Sequence, residues 1–185
     1  MGIIRIAKRA VCVKGGDNRK MGKETPRGVS LISGALFDSV EARALQSPRR
    51  RMNYNFHSSA EDNPHRFLNV LLKGTYIRPH RHADPPKSES FVVLEGAADV
   101  ILFDDDGAVT ARYSLGAESP EGRLWGIDIA PGVWHTILPR TARAVCFEVK
   151  PGPWRPASDK EFAPWAPAED DPSAAEYGNG LLNGA

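Results

Sequence analysis

The chain has 185 residues, of which 41% are hydrophobic, and a formal net charge of +1; that is enough for one principal core and too near neutrality to require a nucleic-acid partner. No stretch approaches the roughly 20 consecutive apolar residues that a membrane-spanning helix needs. Cys12 and Cys146 stand far apart in unrelated contexts, which argues against a disulfide framework and for a reducing, cytoplasmic location.

Charge is spread unevenly. Residues 1–27 carry eight Lys or Arg and two acidic residues, whereas residues 166–185 carry four acidic residues and no Lys or Arg. Arg5, Lys8 and Arg9 interrupt the first apolar residues, which breaks the pattern of a secretory signal. Residues 1–27 therefore read as a basic, disordered extension, residues 28–167 as a single domain, and residues 168–185 as an acidic, Gly-rich flexible tail.

From Leu31 onward, Ile32, Leu36, Val40 and Ala44 recur every four residues and Ser47-Pro48 ends the run, which predicts a short amphipathic helix. Next, Asn53, Asn55 and His57 alternate with Tyr54 and Phe56. In a strand this puts three polar side chains on one face, either the wet side of an edge strand or the lining of a cavity. His65 follows Pro64 in a polar stretch without a second ligand at useful spacing, and reads as an ordinary histidine.

Short strands are expected over residues 67–73, 75–78, 90–94, 99–103, 109–113, 125–129, 136–138 and 144–149, which together make an all-β sandwich or barrel. Asp104-Asp-Asp-Gly107 is a turn between two of them. No acidic residue follows at calcium-loop spacing, so its charges read as solvated.

The chemistry concentrates around His80 and His82. Two residues apart in an extended strand, they project the same way. The loop from Ala83 to Ser88 can return the chain so that Glu89 reaches the same region, and His135 follows a Pro131-Gly132 turn. Three imidazoles and a carboxylate suit one divalent transition metal ion, with Fe, Mn, Ni, Zn and Co all compatible. Six-coordination would leave two positions for water or a ligand, whereas four-coordination would close the site as structural zinc does.

Glu148 and Lys150 share a face of the strand over residues 144–149, opposite Val145, Phe147 and Val149. Glu148 then either faces the cavity, orienting a bound water or a ligating histidine, or is a solvated outer charge. Surface placement is the default for Arg78 and Arg81. After Lys150, Pro151-Gly-Pro-Trp-Arg-Pro156 and Ala163-Pro-Trp-Ala-Pro167 are too proline-rich for regular structure. Trp154, Phe162 and Trp165 suggest an ordered arm packed on the barrel or on a second copy in a homodimer.

Gly74, His80, His82, Glu89 and Gly96 resemble the first motif of the cupins, and Gly132 and His135 the end of the second. The interval between His82 and Glu89 is longer than usual, and Pro139 stands where many cupins have Asn. Asn53 to His57, Arg78 to His82, Trp134 to Thr136, Phe147 to Pro153 and Phe162 to Pro167 together resemble the WbuC family of cupin-fold metalloproteins, over about residues 30 to 170. The resemblance implies a double-stranded β-helix, or jelly-roll barrel, with a short N-terminal helix, a Pro/Trp-rich C-terminal arm and a bound metal. It also implies an association with bacterial surface-polysaccharide loci, without fixing a reaction.

Two functional readings follow. One is a metalloenzyme, such as an isomerase, epimerase or oxygenase, that polarises a sugar-like or hydroxy-carbonyl small molecule, with Asn53, Asn55, His57 and Glu148 lining its substrate pocket. The other is a non-catalytic, metal-dependent sugar or small-molecule sensor.

Overall fold

Strands account for most of the regular secondary structure of the computed structural model, which describes residues 26–116 and 124–184. The disordered extension expected over residues 1–27 lies, but for its last two residues, outside the described ones. Residues from Ile32 onward form one unit.

Helix α1 (Gly34–Gln46) is capped by Ser33, whose Oγ accepts the Leu36 N–H at 3.3 Å. This cap starts the helix later than the apolar spacing predicts. Phe37, Val40 and Ala44 are its buried residues, packed with Leu68, Val70, Leu72 and Val145. The helix thus covers the outside of a sheet.

That sheet contains β1 (Arg51–Asn55), β2 (His65–Leu72), β4 (Glu89–Glu95), β7 (Gly126–Ile129) and β9 (Arg143–Lys150), in the order β1-β2-β9-β4-β7. The second sheet contains β3 (His80–Arg81), β5 (Ala97–Phe103), β6 (Val109–Gly116), β8 (Trp134–Pro139) and β10 (Glu161–Phe162), in the order β10-β3-β8-β5-β6. All of these pairings are antiparallel. Leu71, Phe91, Val93, Val100, Leu115, Ile137 and Cys146 belong to the central core, as inward residues of a double-sheet jelly roll do.

Two expectations are corrected. Thr75–Arg78 is not a strand but an irregular connection, because side chains take over its backbone acceptors. Arg51 Nη1 donates to the Tyr76 carbonyl at 2.8 Å and Thr136 Oγ1 to that of Ile77 at 2.6 Å. Residues 168–185 are likewise no flexible tail, since Ala174–Asn183 forms α2. Tyr177, Leu181 and Leu182 give this helix an apolar side that packs with Ile101, Phe103, Trp134 and Leu138, and Glu169 anchors the preceding segment through a 2.6 Å ion pair with Arg51. The Gly and acidic residues between these apolar positions hide the helical spacing.

The arm between β9 and α2 lies on the barrel. Trp165 packs against Phe103 and Trp134, with ring centroids 5.0 and 6.1 Å apart. At the β4–β5 corner Gly96 has φ +72°, and a Cβ there would lie 2.2 Å from the Arg143 carbonyl oxygen. Gly96→Ala is expected to cost at least about 2 kcal/mol, lowering the thermal midpoint by roughly 4–8 °C. Gly132→Ala is the control, with φ +81° but nothing within 4 Å of its Cβ; it isolates the conformational cost, and an equal loss in both variants would remove the corner contact as the cause.

Candidate metal centre

The fold brings together four side chains that lie up to 55 residues apart in sequence. His80 on β3 and His135 on β8 are direct cross-strand partners, so their rings share a face, with centroids 4.6 Å apart. His82 lies one residue beyond β3, and Glu89 opens β4 in the other sheet. One ligand atom from each of the four can be chosen so that all lie within 4.8 Å of one another. None of the four residues is more than 3% exposed.

Backbone carbonyls orient all three rings. His80 Nδ1–H donates to the Arg78 carbonyl at 3.0 Å, His135 Nδ1–H to that of Val133 at 2.9 Å, and His82 Nδ1–H to that of Asp159. A carbonyl can only accept, so the proton of each neutral ring sits on Nδ1 and the Nε2 lone pair is left for another partner. The buried Nε2 atoms of His80 and His82 have no hydrogen-bond partner among the described residues. His135 Nε2 and His82 Nε2 stand 3.0 and 3.5 Å from the same Glu89 oxygen, Oε2. Burial, reinforced by the positive charge of Lys160, holds His80 well below the usual imidazole range. Lone pairs thus converge on a carboxylate in a buried space, an arrangement that a divalent cation would satisfy.

Glu148 faces this centre from β9, which decides between its two sequence readings: it lies on the cavity side, 4% exposed. Asn69 Nδ2 donates to Glu148 Oε2 at 3.1 Å. Burial, followed by the negative charge of Glu89, pushes the Glu148 carboxyl well above the ordinary carboxylate range. Burial also pushes Glu89 upward, but a hydrogen bond from Glu148, the adjoining His135 and His82 rings and the charge of Lys150 hold it well below that range. The pair therefore carries its proton on Glu148 and its charge on Glu89, as two adjoining carboxyls in unlike surroundings do.

A cavity of about 680 Å³ opens beside the centre. Asn53, Asn55 and His57 line it, so their face of β1 is not simply the wet side of an edge strand. His80, Glu89 and His135 contribute to the wall; His82 does not. His65 is buried, bonds the Ala60 carbonyl through Nε2 at 3.1 Å and stacks on His57 at 4.1 Å. It is a satisfied histidine, as its sequence context suggests, and also a piece of the wall.

Several participants carry no sequence signal. Asp159 accepts from Lys87 Nζ at 2.8 Å and from Lys150 Nζ at 2.9 Å, while its own carbonyl orients His82. Lys150 also stands 3.7 Å from Glu89 Oε1; although burial lowers its pKa, the charges of Glu89 and Asp159 push it up to about 12. Only the parity of Lys150 with Glu148 hinted at this cluster. Asn69 lies opposite Asn53 in the β1–β2 register, inside a strand whose surrounding apolar residues conceal it. Arg78 and Arg81 instead hold the arm: Arg78 donates to the Ala163 carbonyl at 2.6 and 3.1 Å, and Arg81 pairs with Glu161 at 2.7 Å.

No helix among the described residues is long and apolar enough to cross a membrane. A family model described as Domain of unknown function (DUF6016) matches residues 32–115. No curated protein matches the sequence. Among solved structures, the capsular polysaccharide assembling protein CapF from Staphylococcus aureus is similar in two crystal structures, each with a TM-score of 0.51 over 63% of this chain. They are 19% and 20% identical, with 32% and 30% of the CapF chain covered. The chain thus spans about a third of CapF's length. KdgF from Halomonas sp. is 13% identical over 59% of this chain and 84% of its own, with a TM-score of 0.44. The two antiparallel sheets and the likeness to CapF make this a double-sheet jelly roll, in which the register that pairs His80 with His135 contributes to a four-residue cluster that could hold a metal.

Proposed function

We propose that the protein is a metal-dependent enzyme acting on a small sugar-like or hydroxy-carbonyl molecule, with the ion held by His80, His82, Glu89 and His135. The observation that carries this reading is the set of buried, unpartnered acceptors beside one cavity. His80 Nε2 and His82 Nε2 await a cation, and Asn69 Oδ1 is buried with no partner among the described residues. An ion in this position supplies Lewis acidity toward a carbonyl or hydroxyl. Glu148 holds a proton next to the ligand Glu89, and Asn69 Oδ1 can accept a hydroxyl hydrogen. The motifs shared with the WbuC family support a ligand from bacterial surface-polysaccharide metabolism and a cytoplasmic location. The fold shared with a capsular polysaccharide assembling protein points the same way.

A non-catalytic sensor is the second reading. It is favoured by the mutual pairing of Lys150 with Asp159 and of Glu148 with Asn69, which satisfies polar groups without a substrate. Turnover of nucleotide sugars and hydroxy-carbonyl compounds by metal-loaded protein tests the choice. Binding without turnover across the panel would favour the sensor.

Asn55→Ala and His57→Ala are expected to leave metal content unchanged and to weaken the bound small molecule by about fivefold to tenfold, the size of one lost hydrogen bond. Calorimetry paired with elemental analysis checks this. Unchanged affinity in both variants would remove residues 55–57 from the binding surface.

A further inference from the structure

The charged groups around the cavity are largely matched, and two side chains of its lining are exceptions: Arg49, which is solvent-exposed and makes no ion pair with a described residue, and Lys160. Arg51 is tied to Glu169 at 2.6 Å, and Lys150 to Asp159 at 2.9 Å. Lys87, behind the wall, shares Asp159 at 2.8 Å. Lys160 lines the same cavity, half-buried, and makes no hydrogen bond or ion pair with any described residue. Burial lowers its pKa, and the charge of Glu89 opposes this only through space.

An ammonium drawn out of water without a partner costs stability, and the inner wall offers this one no carboxylate of its own. A divalent ion beside the single charge of Glu89 leaves one positive charge over, and Lys160 adds a second. A neutral sugar would leave Lys160 without an anionic partner. Resting on the metal-dependent small-molecule reading above, we infer that the cavity takes an anionic ligand, a polyhydroxylated carboxylate or phosphate, whose charge is met by Lys160. The metal and the Asn-rich wall then read the hydroxyl groups, while Lys160 selects for the anion.

The test uses the full chain, metal-loaded, with gluconate, glucuronate, glucose 6-phosphate and glucose as probes in calorimetry and elemental analysis of the same samples. At least one anion is expected to bind about tenfold or more tightly than glucose. The preferred anion distinguishes a carboxylate source from a phosphate source. Lys160→Gln is expected to abolish that margin with metal content unchanged, and Lys160→Arg to keep part of it. The melting midpoint of Lys160→Gln is expected not to fall, because no described partner is lost. Glucose binding as tightly as every anion, no binding by any anion, or an anion preference intact in Lys160→Gln would each overturn the inference. A chain that takes up no metal overturns both readings, whereas metal uptake without anion preference overturns this one alone.

Discussion

His135→Ala is expected to strip the protein of metal, while His65→Ala leaves it loaded. His135 supplies an Nε2 that its Val133 bond keeps free of a proton, 3.0 Å from Glu89. His65 lies outside the four-residue cluster, with its Nε2–H given to the Ala60 carbonyl and its ring stacked on His57. Removing even an outer hydrogen-bond partner of a metal ligand costs roughly 10–100-fold in metal affinity, so loss of a direct ligand is expected to cost at least about 100-fold. His80→Ala behaves the same way, since its Nε2 is buried and unpartnered among the described residues. Elemental analysis after dialysis against a weak chelator reads the result. Full occupancy at native affinity in both ligand variants would sink the four-residue centre.

The second large effect falls on Asp159, which no sequence motif singles out. Its carboxylate lies between two buried ammonium groups, with Lys87 3% and Lys150 7% exposed at the side chain. Asp159→Ala leaves Lys87 with only the Pro153 carbonyl and Lys150 with only Glu89 at 3.7 Å, and a buried charge that loses its ionic partner costs about 3–5 kcal/mol. For a domain of this size the melting midpoint would fall by roughly 6–20 °C. Combining Asp159→Leu with Lys87→Met and Lys150→Met removes the charges together and is expected to recover much of the loss. A single variant that melts with the wild type would show that solvent already serves the two lysines. Because the His82 contact is made by the Asp159 main-chain carbonyl, the metal centre is expected to lose less than the fold does.

How far the sequence reveals this molecule depends on how local each feature is. His80 and His82 declare themselves through a two-residue spacing that any extended backbone converts into a shared face. The strands of the barrel likewise follow from short alternating runs between turn residues. Glu148 stayed ambiguous because parity gives two faces and cannot say which one is inside; that choice is made by β2 and β4, which flank β9. Thr75–Arg78 read as a strand because its composition is strand-like, yet its carbonyls are taken by Arg51 and Thr136 from elsewhere in the chain. The tail failed for a similar reason, since Tyr177, Leu181 and Leu182 become an apolar face only once Phe103 and Trp134 lie beneath them. Asp159 and Lys160 were illegible because their roles depend on the arm lying on the barrel, and no periodic pattern encodes that.

The distribution of the four ligands has a thermodynamic consequence. His80 and His135 belong to one sheet and Glu89 to the other, so an ion held by all of them would act as a cross-link between the two halves of the sandwich. Unfolding would then have to release it. Once free metal exceeds the dissociation constant, each further tenfold rise adds about 1.4 kcal/mol to the resistance of the barrel to unfolding. The thermal midpoint would track the logarithm of metal activity and fall on chelation, making the fold itself a gauge of how much metal its surroundings supply.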